Sequence, residues 1–471
     1  MFDSYIRDHA SWSPRAPAVL LARREISYAE FDADVDRLGG WLAAQGLTPD
    51  TGAVSVAITG DAYHQYLATA ALSRLGVASA PATDDAADLR LVDHGPAEPG
   101  GPPRLTIGRD WIGAEPRRLP RRLHDPHALG RVMLSSGTTR APRRVGLTWR
   151  RLDLGNHATL HEYCNGRLGA WIPLVGIDSM MGWALVTGAW SVGACAVNAI
   201  PLPDLPRHLE TLPPGIISLT PTQLRQLLAV LPAGFRARPQ WRIICGGSPL
   251  PLALAREARL RLTPDIRLIY GATEVGTIAL GYASGLEDAP GQIGITPTGG
   301  VVEFIGSDGR PVPEGEAGEI RVRGPRMVQG YLGDPAATAE RFRDGWFHTG
   351  DLGRRLPDGR VVLEGRLDER MNLGGAKLMP SVIEDAALEH PGVRDAAAFA
   401  VPDAAGLEHG WLAIVADAGF NRDGLAAHLA GYPGLPPLRF AWTDELPRNA
   451  MGKVARDKLR DAVLAVIRQG G

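Results

Sequence analysis

The sequence predicts an α/β protein of mixed sheets flanked by helices, followed by a smaller α+β unit. Three observations predict it. Residues 1–130 alternate helix-like and strand-like patterns. Residues 299–365 break into short strands separated by turn signals. The last hundred or so residues alternate helix and strand again on a smaller scale. At 471 residues the chain can bury a large core and should divide into more than one domain.

The elements follow in order. Ser27 with Glu30 three positions on forms a capping box, and Phe31, Val35, Leu38 and Leu42 continue at helical spacing. Residues 54–58 alternate like a strand. A helix is expected from Tyr63 to Leu75, stopped by Gly76. Residues 81–103, rich in Asp, Pro and Gly, read as loop. Residues 132–134 read as a strand, then comes a hydroxyl-rich loop, and a second apolar run starts at Val145.

Residues 180–200 carry no charge, a length that touches the membrane-spanning range. Gly188 and Gly193 interrupt them, so a buried helix followed by a buried strand is expected. Residues 216–222 read as a short strand and a helix start, and 243–250 as a strand running into a Gly turn. A strand is expected to end at Ile269, with Gly271 turning the chain and presenting Thr273 and Glu274. Within 299–365, residues 301–305, 307–310 and 319–323 read as short strands, with Asp-Gly steps as hairpin signals. A helix over 382–390 and strands over 396–401 and 411–415 complete the chain.

Composition narrows the function. A net charge of −2 gives no footprint for nucleic acid. Cys164, Cys195 and Cys245 are widely spaced and form no CxxC, which argues against a disulfide framework or zinc site. The first eight residues have neither a basic nor an apolar region of the kind a signal peptide needs, so a reducing cytoplasm and no membrane partner are expected. Lysine is nearly absent: only Lys377, Lys453 and Lys458 occur, so a lysine retained in this background draws attention.

The loop after residue 134 is the chemical centre of the sequence. Ser135, Ser136, Thr138 and Thr139 put four hydroxyls around Gly137, which lets backbone N–H groups approach an anion. Arg143 and Arg144 add positive charge. This suits a polyphosphate, although no Walker loop is present. Asp178, before the uncharged segment, fits a helix N-cap.

Taken with the segments 268–274 (Leu-Ile-Tyr-Gly-Ala-Thr-Glu), 346–352 (Trp-Phe-His-Thr-Gly-Asp-Leu), 363–368 (Leu-Glu-Gly-Arg-Leu-Asp) and 446–454 (Leu-Pro-Arg-Asn-Ala-Met-Gly-Lys-Val), the loop resembles the ordered motifs of the AMP-forming adenylating enzymes. These include acyl-CoA synthetases, stand-alone adenylation domains and luciferases. The resemblance spans roughly residues 15–460. It implies a large N-terminal domain, 1–367, with a β-barrel-like subdomain, and a mobile C-terminal lid, 368–471.

It also implies roles. Ser135, Ser136, Gly137, Thr138, Thr139 and Arg143 would handle the phosphates of ATP. Tyr270 would cover adenine beside Gly271, Thr273 would hold the α-phosphate, and Glu274 would help to hold Mg²⁺. Asp351 and Arg366 would take the ribose, and Asp368 would be the hinge. Lys453 would bridge the acid and the α-phosphate. Asp178, Ser179, Gly182, Ile243, Cys245, Ile269, Thr277 and Ile278 would line the acid pocket. By the same resemblance Asp178 would face a substrate ammonium, which leaves two readings of that residue open.

The implied reaction is ATP-dependent activation of a carboxylic acid, small and polar or amino-bearing, with release of pyrophosphate. The acyl group would then pass to a thiol of CoA or of a stand-alone carrier protein. Amide formation with an amine and a weakly active nucleotide-binding paralogue are the alternatives. The departures are Arg140, Arg143 and Arg144 where the family motif has Gly, Lys and Gly, together with Asn372 and Val382 in the thiol-channel region. Arg keeps the charge of Lys but presents a planar fork.

Overall fold

The computed structural model describes residues 2–469 except 22–23, 95–99, 109–110, 113–117, 136–141, 165, 167, 199, 237–238, 374–375, 404–406, 433 and 449–453. Local signals become elements where the sequence is explicit. Ser27 and Glu30 form the capping box of helix Tyr28–Ala44. Asp61 caps helix Ala62–Leu75, and Gly76 ends it in the left-handed region at φ 78°. Helix Met180–Val192 runs through Gly188, stops at Gly193 with φ 76°, and leads into strand Cys195–Val197.

Two large sheets organise the N-terminal part. Strands Pro17–Leu21, Arg24–Ser27, Ala170–Pro173, Cys195–Val197, Ile216–Leu219, Arg242–Gly246, Ile266–Ala272 and Gly276–Tyr282 form an eight-stranded sheet. Its interior pairs are parallel and both edge pairs are antiparallel. A six-stranded sheet contains Leu129–Leu134 and Arg144–Thr148, the antiparallel pair on either side of the hydroxyl-rich loop. A third sheet, antiparallel throughout, joins Gln292–Gly294, Val301–Ile305, Gly318–Arg323, Trp346–Arg355 and Val361–Arg366, with Phe342–Arg343 paired alongside. The short strands expected over 301–305 and 319–323 lie in this sheet.

Two local expectations change. The stretch 81–103 is not all loop: Leu89–Val92 is a strand between Ala53–Ala57 and Arg104–Thr106. Its burial in a parallel sheet comes from neighbours distant in sequence, which a four-residue run does not reveal. Residues 307–310 are a turn rather than a strand, with Gly309 at φ 76°.

The apolar core divides along the chain. Its N-terminal clusters reach no further than Leu363, and those of the C-terminal part begin at Met371. The C-terminal part is a three-stranded sheet, Val393–Pro402, Glu408–Ala416 and Arg439–Trp442, with helices Pro380–Leu388, Arg422–Ala430 and Arg456–Gln469. Between the two sets of clusters lies the short turn Leu367–Glu369. Asp395 of the C-terminal sheet pairs with Arg225 of helix Pro221–Val230 at 2.7 Å and with Arg448 at 2.5 Å. Among the described residues no helix is long and apolar enough to cross a membrane.

Candidate active site

Strand Ile266–Ala272 does not end at Ile269. It continues to Ala272, and residues 273–275 turn into Gly276–Tyr282. Gly271 lies within this hairpin, opposite Thr277, rather than at its turn. A Cβ there would stand 2.6 Å from the Gly276 carbonyl oxygen, so the missing side chain lets the two strands close. The turning glycine is Gly276, at φ 79°. Thr273 and Glu274 are thus presented at a hairpin tip, Thr273 half-buried and Glu274 buried.

Three predicted nucleotide residues meet beside this hairpin. The Tyr270 hydroxyl donates to Asp351 Oδ2 at 2.5 Å. Arg366 Nη1 donates to Asp351 Oδ1 at 3.2 Å and to the Thr349 carbonyl at 3.0 Å. Asp351 and Arg366 face each other on adjacent strands, so the ladder itself sets their pairing. Burial works against the Arg366 charge, but Asp351 and Asp368 outweigh it and the guanidinium stays firmly protonated. Burial and the neighbouring Asp351 carboxylate raise the Tyr270 pKa well above its ordinary value, so the ring keeps its proton. Asp368 accepts from Arg366 Nε at 3.2 Å within the Leu367–Glu369 turn.

A second group joins the phosphate loop to Glu274. Ser135 and Arg143 close the loop's neck: Ser135 N donates to the Arg143 carbonyl at 2.9 Å, and Arg143 N donates to Ser135 Oγ at 3.2 Å. The Arg143 guanidinium lies over the Tyr331 ring, 5.0 Å from its centroid, and 3.5 Å from Glu340. The Tyr331 hydroxyl in turn donates to Glu274 Oε1 at 2.8 Å. Burial pushes the Glu274 pKa up, against the hydrogen bond from Tyr331 and the charges of Arg341 and Arg143. Ser136, Gly137, Thr138, Thr139 and Lys453 lie outside the described residues.

The acid-pocket residues divide. Ile269 packs on the side of the eight-stranded sheet that faces helix Met180–Val192. A Cβ on neighbouring Gly246 would approach Ile269 Cγ2 at 2.5 Å and Met181 Sδ at 3.5 Å. Ile243 and Cys245 point the other way, into a core with Leu224, Leu227 and Leu254. Strand alternation puts them on the opposite face from Ile244 and Gly246. Ile278 is buried in the core with Phe304, Ile320 and Phe347. These three residues are packing positions. Thr277 bonds the Tyr163 hydroxyl through Oγ1 at 2.7 Å.

The N-cap of helix Met180–Val192 is Ser179, not Asp178: its Oγ accepts from Gly182 N at 3.0 Å. Gly182 sits so close to Gly176 that a Cβ would meet its carbonyl oxygen at 1.7 Å. Asp178 faces Arg131, Oδ1 to Nη2 at 3.2 Å, and accepts from Ala82 N at 3.4 Å. Arg131 is buried, with Nη1 on Ser79 Oγ at 3.0 Å and its guanidinium 4.1 Å from the Trp183 ring centroid. Burial pulls its pKa down to about 10, and Asp178 opposes that shift. The sequence reading gave no role to Arg131, Met181 or Tyr331, and placed Gly246 only in the glycine turn after its strand. The contacts of Tyr331 with Arg143 and Glu274 join residues far apart in sequence.

Known proteins resemble the chain along most of its length. The AMP-binding enzyme family matches residues 109–332. The chain is 30% identical over 501 residues to a feruloyl-CoA synthase of Amycolatopsis sp., covering 96% of each chain. It is 28% identical over 494 residues to the fatty acid–[acyl-carrier-protein] ligase ScoC of Streptomyces coeruleorubidus, covering 96% of this chain and 94% of that one. Its fold superposes with a TM-score of 0.83, at 22% identity, on O-succinylbenzoate coenzyme A synthetase (MenE) of Bacillus subtilis in complex with ATP and magnesium ion. That match covers 97% of this chain and 99% of the other. The chain belongs to the AMP-forming adenylating enzyme superfamily.

Proposed function

We propose that this enzyme is an acid–thiol ligase that activates a small carboxylic acid with ATP and then passes the acyl group to the thiol of CoA or of a carrier protein. The observation that carries this is the meeting of Tyr270, Asp351 and Arg366 beside the hairpin that presents Thr273 and Glu274. It supplies an aromatic face for a base, a carboxylate that can accept from ribose hydroxyls, and a cation that holds the carboxylate in place.

In the first step a substrate carboxylate oxygen attacks the α-phosphorus in line. The new bond is the acyl–phosphate anhydride, and the bond to the β-phosphate oxygen breaks, so pyrophosphate leaves. Thr273 would donate to the α-phosphate, and Arg143 would face the departing charge. Lys453 would neutralise the approaching carboxylate and α-phosphate. In the second step a thiolate sulfur attacks the acyl carbonyl, forming the thioester and releasing AMP.

Glu274 fits a magnesium ion: it is one buried carboxylate whose charge burial disfavours, a cost that a bound cation would offset, and magnesium takes one or two carboxylates with phosphate oxygens completing its shell. Such an ion would supply charge neutralisation on the phosphates. Among the described residues no group of three or more His, Cys, Asp or Glu gathers to hold a metal without such help.

Residues 1–367 would form the ATP- and acid-binding domain, and 368–471 the lid that turns about Asp368. The break in the apolar core between Leu363 and Met371 supports this division. Arg131 already compensates Asp178, so an ammonium on the substrate would have to share that carboxylate. The test is pyrophosphate release over a panel of carboxylic acids, followed by mass spectrometry of the product with CoA. Absence of release with every acid would reject the reading.

A further inference from the structure

A cleft of about 900 Å³ opens between helix Trp149–Thr159 with its continuation to Glu162, the edge strand Gly276–Tyr282 and the third sheet. Its walls are largely apolar, with Leu154, Ala158, Leu280 and Ile295 among them, and Glu162 and Arg326 also line it.

Behind these two stands Arg151, 5% exposed. Among the described residues none of its three guanidinium nitrogens finds a hydrogen-bond partner. Arg151 Nη2 and Arg326 Nη1 converge on Gly276, lying 3.1 and 3.6 Å from where a Cβ would stand. Glu162 pairs with Arg326 at 3.4 Å, and its own Oε2 is buried without a partner. Glu162 therefore answers Arg326, while Arg151 stands in a desolvated place with no carboxylate paired to it among the described residues. A buried cation left uncompensated is strongly destabilising. Burial and the charge of Arg326 together pull the Arg151 pKa down to about 9, yet it remains charged at neutral pH.

The other arginines of the cleft have carboxylates in reach: Arg267 shares Asp265 with Arg242, at 3.0 and 2.8 Å, and Arg360 pairs with Asp288 at 2.7 Å. The unmatched charge lies against Gly276, and Gly276 stands three residues along the hairpin from Thr273, a backbone span of at most about 11 Å. Thr277, expected to line the acid pocket, touches the same group: its carbonyl accepts from Arg326 at 3.3 Å and its hydroxyl bonds Tyr163.

We infer that Arg151 and Arg326 receive a second anionic group, a carboxylate, sulfonate or phosphate, carried by the acid that this enzyme activates. The inference rests on the adenylation reading above and names its substrate class. Gly276, having no side chain, lets both guanidinium groups close on the same point, and two guanidinium forks can grip an anion bidentately.

The experiment compares short linear diacids with monoacids of equal length in pyrophosphate release, and measures diacid binding without ATP by calorimetry. Arg151→Met and Arg326→Gln variants are run beside the wild type. The expected result is a diacid preference of at least about tenfold in kcat/KM that both variants erase mainly through KM, with monoacid turnover retained. Arg151→Met should also keep or raise Tm, since it removes an uncompensated buried charge.

Equal use of diacids and monoacids, or a lowered Tm with unchanged acid preference, overturns the inference. So does a rate response to free inorganic phosphate that is the same for every acid. If no acid releases pyrophosphate, adenylation itself has failed. Calorimetry then still decides the anion site: diacid binding abolished by Arg151→Met supports it, and no binding rejects it.

Discussion

Replacing Asp351 by alanine tests the nucleotide site most directly. Each Asp351 oxygen is held by one partner, Tyr270 at 2.5 Å and Arg366 at 3.2 Å, and each keeps capacity to accept a ribose hydroxyl. A hydrogen bond to a charged group is worth about 1.5–3 kcal/mol. Losing two would be partly offset, because the freed Tyr270 hydroxyl and Arg366 can approach the ribose themselves. A net loss of about 2 kcal/mol is expected, which is about thirtyfold in kcat/KM for ATP. The loss should fall on KM, with kcat changing less than about threefold, because the ribose contact is made alike in ground and transition states. The fold should survive, since Arg366 keeps Asp368 at 3.2 Å and the Thr349 carbonyl at 3.0 Å. The assay is ATP–pyrophosphate exchange against ATP concentration, repeated with 2′-deoxy- and 3′-deoxy-ATP. Wild type should disfavour the deoxy analogues and the variant should be nearly indifferent, the non-additivity expected of direct contact. A KM within twofold of wild type, or undiminished discrimination in the variant, would refute the placement.

Other outcomes follow from the proposed function. Lys453→Ala should cut adenylate formation by about 10²–10³ while leaving ATP binding largely intact, checked by pre-steady-state pyrophosphate release. Chelation with EDTA should abolish pyrophosphate release and added magnesium should restore it, whereas Glu274→Gln should need more magnesium for half-maximal rate. Gly182→Ala, which drives a Cβ to 1.7 Å from the Gly176 carbonyl oxygen, should destabilise by about 1–3 kcal/mol or more, read by denaturant unfolding. Offered CoA and simple amines together, the enzyme should yield thioester by mass spectrometry; amide as the main product would favour the alternative acceptor class.

What could be read in the sequence depended on range. The capping box at Ser27, the stop at Gly76 and the helix from Met180 to Gly193 are settled within a turn or two of chain, and the structure has them in place. Motif order along the chain carried the superfamily. Facing was harder. Ile243 and Cys245 flank Ile244, and a fully buried strand gives no polar alternation to tell which side meets the ligand and which the helices. Asp178 looked like a cap because its neighbour Ser179 is one, and its true partner, Arg131, is 47 residues away. The link from Arg143 through Tyr331 to Glu274 joins three distant segments, and no spacing rule encodes it.

The shared carboxylate of Asp395 has a mechanical consequence. Its bond to Arg225 is the strand-to-helix clasp between the two parts of the chain, and its bond to Arg448 lies at the root of the segment that carries Lys453. Partly solvated pairs of this sort hold with no more than about 1 kcal/mol. The clasp is therefore a detent rather than a weld: thermal motion can release Arg225 at little expense, and were the proposed lid to turn, Asp395 would still hold Arg448, which precedes the segment carrying Lys453.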